Sequence, residues 1–199
     1  MTSSVSLDGG AYADAAPQLL DSLFYAVSHD LRSPLLTVSL SAQLLEHTLK
    51  DVQVDGADEA LGGLRAACDD LERMLAAMNA LSRASRRASE AIELDLATVH
   101  AGAPGATIVL DELTAAELQA VLPATVATSI EGTTASIRWA ADGLDQSPLV
   151  ALTGSLQAYA GGPVEALACL EIAIERHRGS LEVTDGEIVL RLPVTGARS

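Results

Sequence analysis

Residues 17–50 read PQLLDSLFYAVSHDLRSPLLTVSLSAQLLEHTLK, and the fold turns on how this stretch is read. Its apolar residues recur at alternating spacings of four and three: Leu20, Phe24, Val27 and Leu31, then Val38 and Leu45, with Ser41 and Thr48 as polar interruptions. A repeat near 3.5 residues keeps such positions on one side of a helix, so the spacing predicts one long helix with a continuous buried seam. After a polar stretch, Asp51 to Asp58, that contains Gly56, a second series follows: Leu61, Leu64, Cys68, Leu71, Leu75 and Met78. It predicts a returning helix. Both helices also carry apolar residues beside the main seam, among them Leu19, Leu23, Leu44, Met74 and Leu81. A lone antiparallel hairpin would leave these wet. Two hairpins paired into a four-helix bundle would bury them, which predicts a homodimer, with packing against the C-terminal half as the alternative.

Beyond Leu81 to Ala91, a Ser/Arg/Ala segment read as the end of the second helix and a linker, the pattern changes to short β-rich runs separated by turn residues. The expected strands are Ile92 to Val99, Ala106 to Leu110, Ala135 to Ala140, Ser180 to Thr184 and Glu187 to Leu192. Helices are expected at Thr114 to Thr128 and Pro163 to Arg176. The fold class is therefore α+β. The expected domains are a flexible start over 1–16, a hairpin over 17–90, and an α/β sandwich over 91–199 with helices on one face.

Composition narrows the function. With 27 acidic residues against 12 basic ones and a net charge of −15, attraction to nucleic acid or anionic lipid is disfavoured, and the near absence of aromatics removes a base-stacking platform. Cys68 and Cys169 stand far apart in apolar stretches without a CxxC pair, which reads as reduced core cysteines and no metal site. The first ten residues lack a basic start and an apolar run, and no stretch approaches the length of a spanning helix, so a cytoplasmic location without membrane contact is expected.

On the first helix, His29 falls off the Leu20, Phe24, Val27, Leu31 line, so its ring should reach solvent or a groove edge. A neutral imidazole nitrogen is a competent nucleophile toward a phosphoryl group. Asp30 can orient the ring or take its proton, Arg32 can offset phosphate charge, and Pro34 removes a backbone donor and bends the helix one turn on. A surface histidine alone usually has no function. Taken together, Phe24-Tyr25-Ala26-Val27-Ser28-His29-Asp30-Leu31-Arg32-Ser33-Pro34-Leu35 resembles the H box of sensor histidine kinases. That resemblance implies that His29 carries the phosphoryl group, that Asp30 assists, and that receiver domains dock on the hairpin face beyond Pro34. Many members have Thr or Asn where this chain has Ser33, which puts phosphatase activity in doubt.

The second half resembles, less specifically, the ATP-binding domain that follows the hairpin in that family, most closely over Leu167 to Val183 and through Leu190-Arg191-Leu192-Pro193. Nucleotide binding by that fold needs magnesium-binding asparagines and small glycine loops. Where the asparagines would lie this chain has Ala124 and Thr128, with Pro123 beside them. Asp142 and Gly143 match an adenine-reading Asp and first glycine, but Asp145 replaces the second. Gly162 keeps one glycine of the next loop, and Glu165 brings the wrong charge. These departures argue against ATP binding and leave Asp142, Gly143 and Gly162 as a vestigial nucleotide site, with a simple turn preferred for Asp142. His177 reads as a helix-end cation closed by Gly179, without a catalytic role.

The combination resembles dimeric histidine phosphotransferases of phosphorelays. It implies transfer from one receiver aspartate to His29 and on to another, with magnesium supplied by the receiver and no cofactor bound. Response-regulator receivers are the expected partners, and a hybrid histidine kinase is a further candidate. Two other classes stay open: a histidine kinase with intact or weak ATP binding, and a non-catalytic dimeric scaffold or inhibitor.

Overall fold

The structure, a computed structural model, describes residues 31–32, 35–49, 56–88 and 90–197. It is a mixed α+β protein that divides into two compact units, Met1–Ser82 and Arg83–Ser199.

In the first unit, α1 (residues 35–49) and α2 (Ala57–Arg86) are helical. Leu35 of α1 packs with Cys68, Leu75 and the partly buried Met78 of α2, while farther along α1 the Glu46 carboxylate accepts from Arg65 Nη1 at 2.8 Å. A higher number on α1 meets a lower one on α2, so the helices run antiparallel, as the turn at Gly56 requires. The buried line differs from the expected seam. Leu35 and Ala42 are buried, whereas Leu31, Val38 and Leu45 are about half exposed, as is Leu71 on α2. The reason is helical geometry: Leu35 and Ala42 share a side, and the Leu31, Val38, Leu45 row runs beside it, at the margin of what one neighbouring helix can cover. The Leu20, Phe24 and Val27 part of that seam lies outside the described residues.

The second unit is built on a six-stranded antiparallel sheet: β1 (Ile92–Asp95), β2 (Ala106–Leu110), β3 (Ala127–Glu131), β4 (Thr134–Ala140), β5 (Ser180–Thr184) and β6 (Glu187–Ala197). The strand order is β1-β2-β6-β4-β3, with β5 also paired to β6. Alternation places Ala135, Ile137 and Trp139 of β4 and Ile188, Leu190, Leu192 and Val194 of β6 in one core. Leu96 and Val99 of α3 (Leu96–Val99), Ala115 and Leu118 of α4 (Glu112–Val121), and Leu167, Leu170 and Ile174 of α7 (Pro163–Arg176) close that core from the helical side. Two short helices, α5 (Pro148–Gly154) and α6 (Leu156–Tyr159), lead into α7, and α5 packs along it.

Three departures from the expected elements have local causes. The first strand stops at Asp95 because the Asp95 side chain accepts from Ala97 N–H at 3.0 Å, capping α3 in place of four more strand residues. The helix expected to reach Thr128 ends at Val121, since Leu122 precedes Pro123 and takes extended backbone, φ −67° and ψ 127°. The freed residues Ala127–Glu131 then pair with β4 as a strand that the sequence reading missed. Finally, the left-handed residue ending α7 is Arg178 (φ 60°), not Gly179. Gly179 is needed for space: a Cβ there would sit 2.6 Å from the Arg191 carbonyl oxygen and from Ile174 Cγ2.

One polar cluster is buried where α4 begins and α7 ends. Asp111 caps α4, its Oδ1 accepting from Thr114 N–H at 2.9 Å and its Oδ2 from the Thr114 hydroxyl at 2.6 Å. The same Oδ2 lies 2.8 Å from Nε2 of His177, the residue that closes α7. Burial by itself would raise the Asp111 carboxyl, but hydrogen bonds from Thr114 and His177 and the charge of Arg87 outweigh it and hold the group at about 2. His177 thus stands at the helix end where the sequence places it, and its ring is also paired with a buried carboxylate.

Two outcomes follow from these contacts. Leu35→Ala should destabilise the hairpin by about 2 kcal/mol, whereas Leu40→Ala, at an exposed position, should cost less than about 0.5 kcal/mol, as read by urea unfolding monitored by helical circular dichroism. Asp111 has a folded pKa below its ordinary value of 3.8, so its stabilisation is full above that value and is lost as pH falls toward 2. The loss should amount to about 2 kcal/mol, and Asp111→Asn, less stable at pH 7, should lack this acid-dependent slope.

Candidate functional site

Of the residues singled out on the hairpin, Arg32 is helical and exposed. His29, Asp30, Ser33 and Pro34 lie outside the described residues. What the structure adds is the surface that follows them in the chain. Leu36, Leu40 and Leu44 are spaced four apart, are all more than half exposed, and occupy the side of α1 away from Leu35 and Ala42. Together with Leu31, Val38 and Leu45, they give a helix of modest length two apolar stripes that its own hairpin does not cover. Scattered exposed apolar side chains are ordinary, but six large ones within fifteen residues, five of them leucine, are not.

In the second unit, Asp142 and Gly143 form the tip of a tight turn with φ 48° and 90°, closed by the Leu144 N–H donating to the Ala141 carbonyl at 3.0 Å. Both are exposed. The turn reading of Asp142 accounts for what is seen. Gly162 stands at the N-cap of α7, ahead of Pro163. There the Glu165 carboxylate accepts from Gly161 N–H at 2.6 Å, so a negative side chain already occupies a donor beside the start of α7. Among the described residues, no hydrogen bond or ion pair joins Asp142 or Gly143 to Gly162. Ala124 lies in the connection after α4 and Thr128 on β3, so these two positions do not share a helix.

Other titratable groups are structural. Glu171, buried on α7, accepts from Leu149 N–H at 2.9 Å and from the Ser147 side chain, fastening the start of α5 to α7. Burial raises its pKa, partly offset by those two donors. Burial also pushes the Cys169 thiol up to about 11, with Glu165 and Glu117 adding to the effect, so it stays a thiol at neutral pH. The sequence reading had no signal for the Arg87, Asp111, Thr114, Glu117 and His177 cluster, because its members lie up to 90 residues apart and only the Asp111-x-x-Thr114 cap is a local pattern. Among the described residues no group of His, Cys, Asp or Glu has the arrangement of a metal site, and no helix is long and apolar enough to cross a membrane.

No family model matches the chain, and no curated protein does. Among solved structures the chain is similar to full-length ShkA, a histidine kinase, crystallised in complex with AMPPNP, at 17% identity and a TM-score of 0.47. The similarity spans 89% of this chain and 47% of that one, so the chain matches about half the length of that protein.

Proposed function

We propose that this protein is a histidine phosphotransferase of a two-component phosphorelay, in which His29 accepts a phosphoryl group from the aspartyl phosphate of one receiver domain and passes it to the aspartate of another. The observation that carries this reading is the H-box-like run Ser28-His29-Asp30-Leu31-Arg32-Ser33-Pro34-Leu35, whose sequence leads into α1, a helix that exposes two apolar rows. A ring nitrogen of His29 forms the N–P bond as the bond between phosphorus and the aspartyl oxygen breaks, and the departing carboxylate takes up the negative charge. Asp30 orients the ring, and Arg32 offsets charge on the transferred group. Magnesium belongs to the receiver and supplies charge neutralisation there.

Two surface features support the arrangement. The Leu31, Val38, Leu45 row borders the intramolecular seam, which suits a second hairpin and hence a homodimeric four-helix bundle. The Leu36, Leu40, Leu44 row faces away from the seam and follows His29 closely in the chain, which suits an incoming receiver. The second unit favours a phosphotransferase over an autokinase: Glu165 holds the Gly161 amide, Asp142 and Gly143 form an ordinary turn, and neither Ala124 nor Thr128 offers what an asparagine gives magnesium. A receiver-docking role for this unit goes with that reading.

The test is to charge a panel of purified receiver domains with radiolabelled acetyl phosphate and incubate each with the protein, alongside radiolabelled ATP and magnesium without a receiver. Label should reach the wild-type chain only from a charged receiver and should be lost in His29→Ala. Label taken from ATP alone would identify a kinase instead, and no label from any source would leave a scaffold. Val38→Asp should shift the sedimentation profile toward monomer, whereas Leu40→Asp should preserve the dimer and slow transfer by at least about tenfold.

A further inference from the structure

Arg87 is the first residue after α2, and it is held at both ends. Its guanidinium donates to Glu117 Oε1 at 2.6 Å and Oε2 at 3.1 Å, and its Nη2 also donates to the Thr114 hydroxyl at 2.8 Å. Its backbone carbonyl accepts from Arg176 on α7. The proton directions in this cluster are fixed. Thr114 Oγ1 accepts from Arg87, so its own proton goes to Asp111 Oδ2, and since a carboxylate only accepts, His177 must donate to it from Nε2. The result is a continuous chain from Arg87 through Thr114 and Asp111 to His177, entirely within the second unit.

The chain has a dry end and a wet end. The Asp111 and His177 side chains are 9% and 4% exposed, whereas Glu117 is 43% exposed. The outer Arg87–Glu117 fork can therefore exchange with water while the inner Asp111–His177 pair stays closed. Residues 87, 88, 90 and 91 have no helix or strand of their own to hold them. The Arg87 N–H still donates to the Arg83 carbonyl at 2.9 Å, the last backbone bond of α2, and beyond it the Arg87 guanidinium and carbonyl supply the anchors to α4 and α7.

We propose that Arg87 is a releasable clasp that straps the chain leaving α2 onto the α4 and α7 ends of the second unit, with Glu117 as the outer catch. The connection is then a fixed strap with a low-cost open state. The geometry stands whether or not His29 carries a phosphoryl group.

Trypsin reads the clasp directly, because cleavage after Arg87 requires its guanidinium to leave the cluster and enter the protease. Limited digestion of the full chain, with mass spectrometry of the fragment beginning at Ala88, should show slow cleavage in the wild type and roughly threefold to fivefold faster cleavage in Glu117→Ala. Cleavage after Arg138 serves as the internal control and should be unchanged, as should the thermal unfolding midpoint. Equal rates at Arg87 in the two proteins would overturn the proposal. So would a faster rate accompanied by a matching rise at Arg138 and a lower midpoint, since the contact would then be part of global stability and no local clasp.

Discussion

Strand β6 is the constraint on which the second unit depends. Its eleven residues pair with β2 at one end, with β5 at the other, and with β4 along seven positions of the opposite edge. Without it the sheet falls into β1–β2, β3–β4 and a solitary β5, none of which can bury a core. Its inward residues Ile188, Leu190, Leu192 and Val194 form the floor on which α3, α4 and α7 rest. A two-residue Asp185–Gly186 turn, both residues at positive φ, sets its register against β5. Hydrophobic burial and backbone pairing thus converge on one stretch near the end of the chain.

Helices resting on such a floor still need their ends fixed, and buried carboxylates do that here. Asp111 joins the start of α4 to the end of α7, and Glu171 joins the start of α5 to the middle of α7. The two carboxyls respond to burial in opposite ways. Asp111 has Thr114, His177 and Arg87 to favour its charge, so its pKa falls. Burial raises Glu171, its two donors offset this only in part, and the Glu175 carboxylate adds to the rise. These carboxylates hold α7 at its end and at its middle, and at its start the Glu165 carboxylate accepts from the Gly161 N–H.

What the sequence disclosed follows the range over which each signal acts. Residues Pro163–Arg176 carry their own start, their own apolar period and their own end, and the helix bounds were readable to the residue. Strands β2 and β5 were equally plain. Strand β3 was not, because Val121, Leu122 and Val126 continue a helical-looking apolar pattern past Pro123, and only the pairing with β4 shows that the pattern changes period. On α1 the heptad spacing was visible but its burial was not: spacing says which residues share a side, and the neighbour decides which side is dry. For the candidate site, the His29 pattern is local and legible. The Arg87 to His177 chain is assembled by the tertiary fold and leaves almost no local mark.

The hairpin itself poses the remaining constraint. Leu35 packs against α2, whereas Leu31, Val38 and Leu45 on one side and Leu36, Leu40 and Leu44 on the other stay exposed; in the proposed phosphotransferase the first row would meet a second hairpin and the second row a receiver. A permanent dimer face would be expected to be continuous with the intramolecular seam, since the two pack as one core, and the Leu31 row is. A transient docking face would be expected to stand apart from that core so that it can be vacated without disturbing it, and the Leu36 row does. The separation of the two rows on one helix is what the proposed phosphotransferase would use to remain a dimer while its receivers come and go.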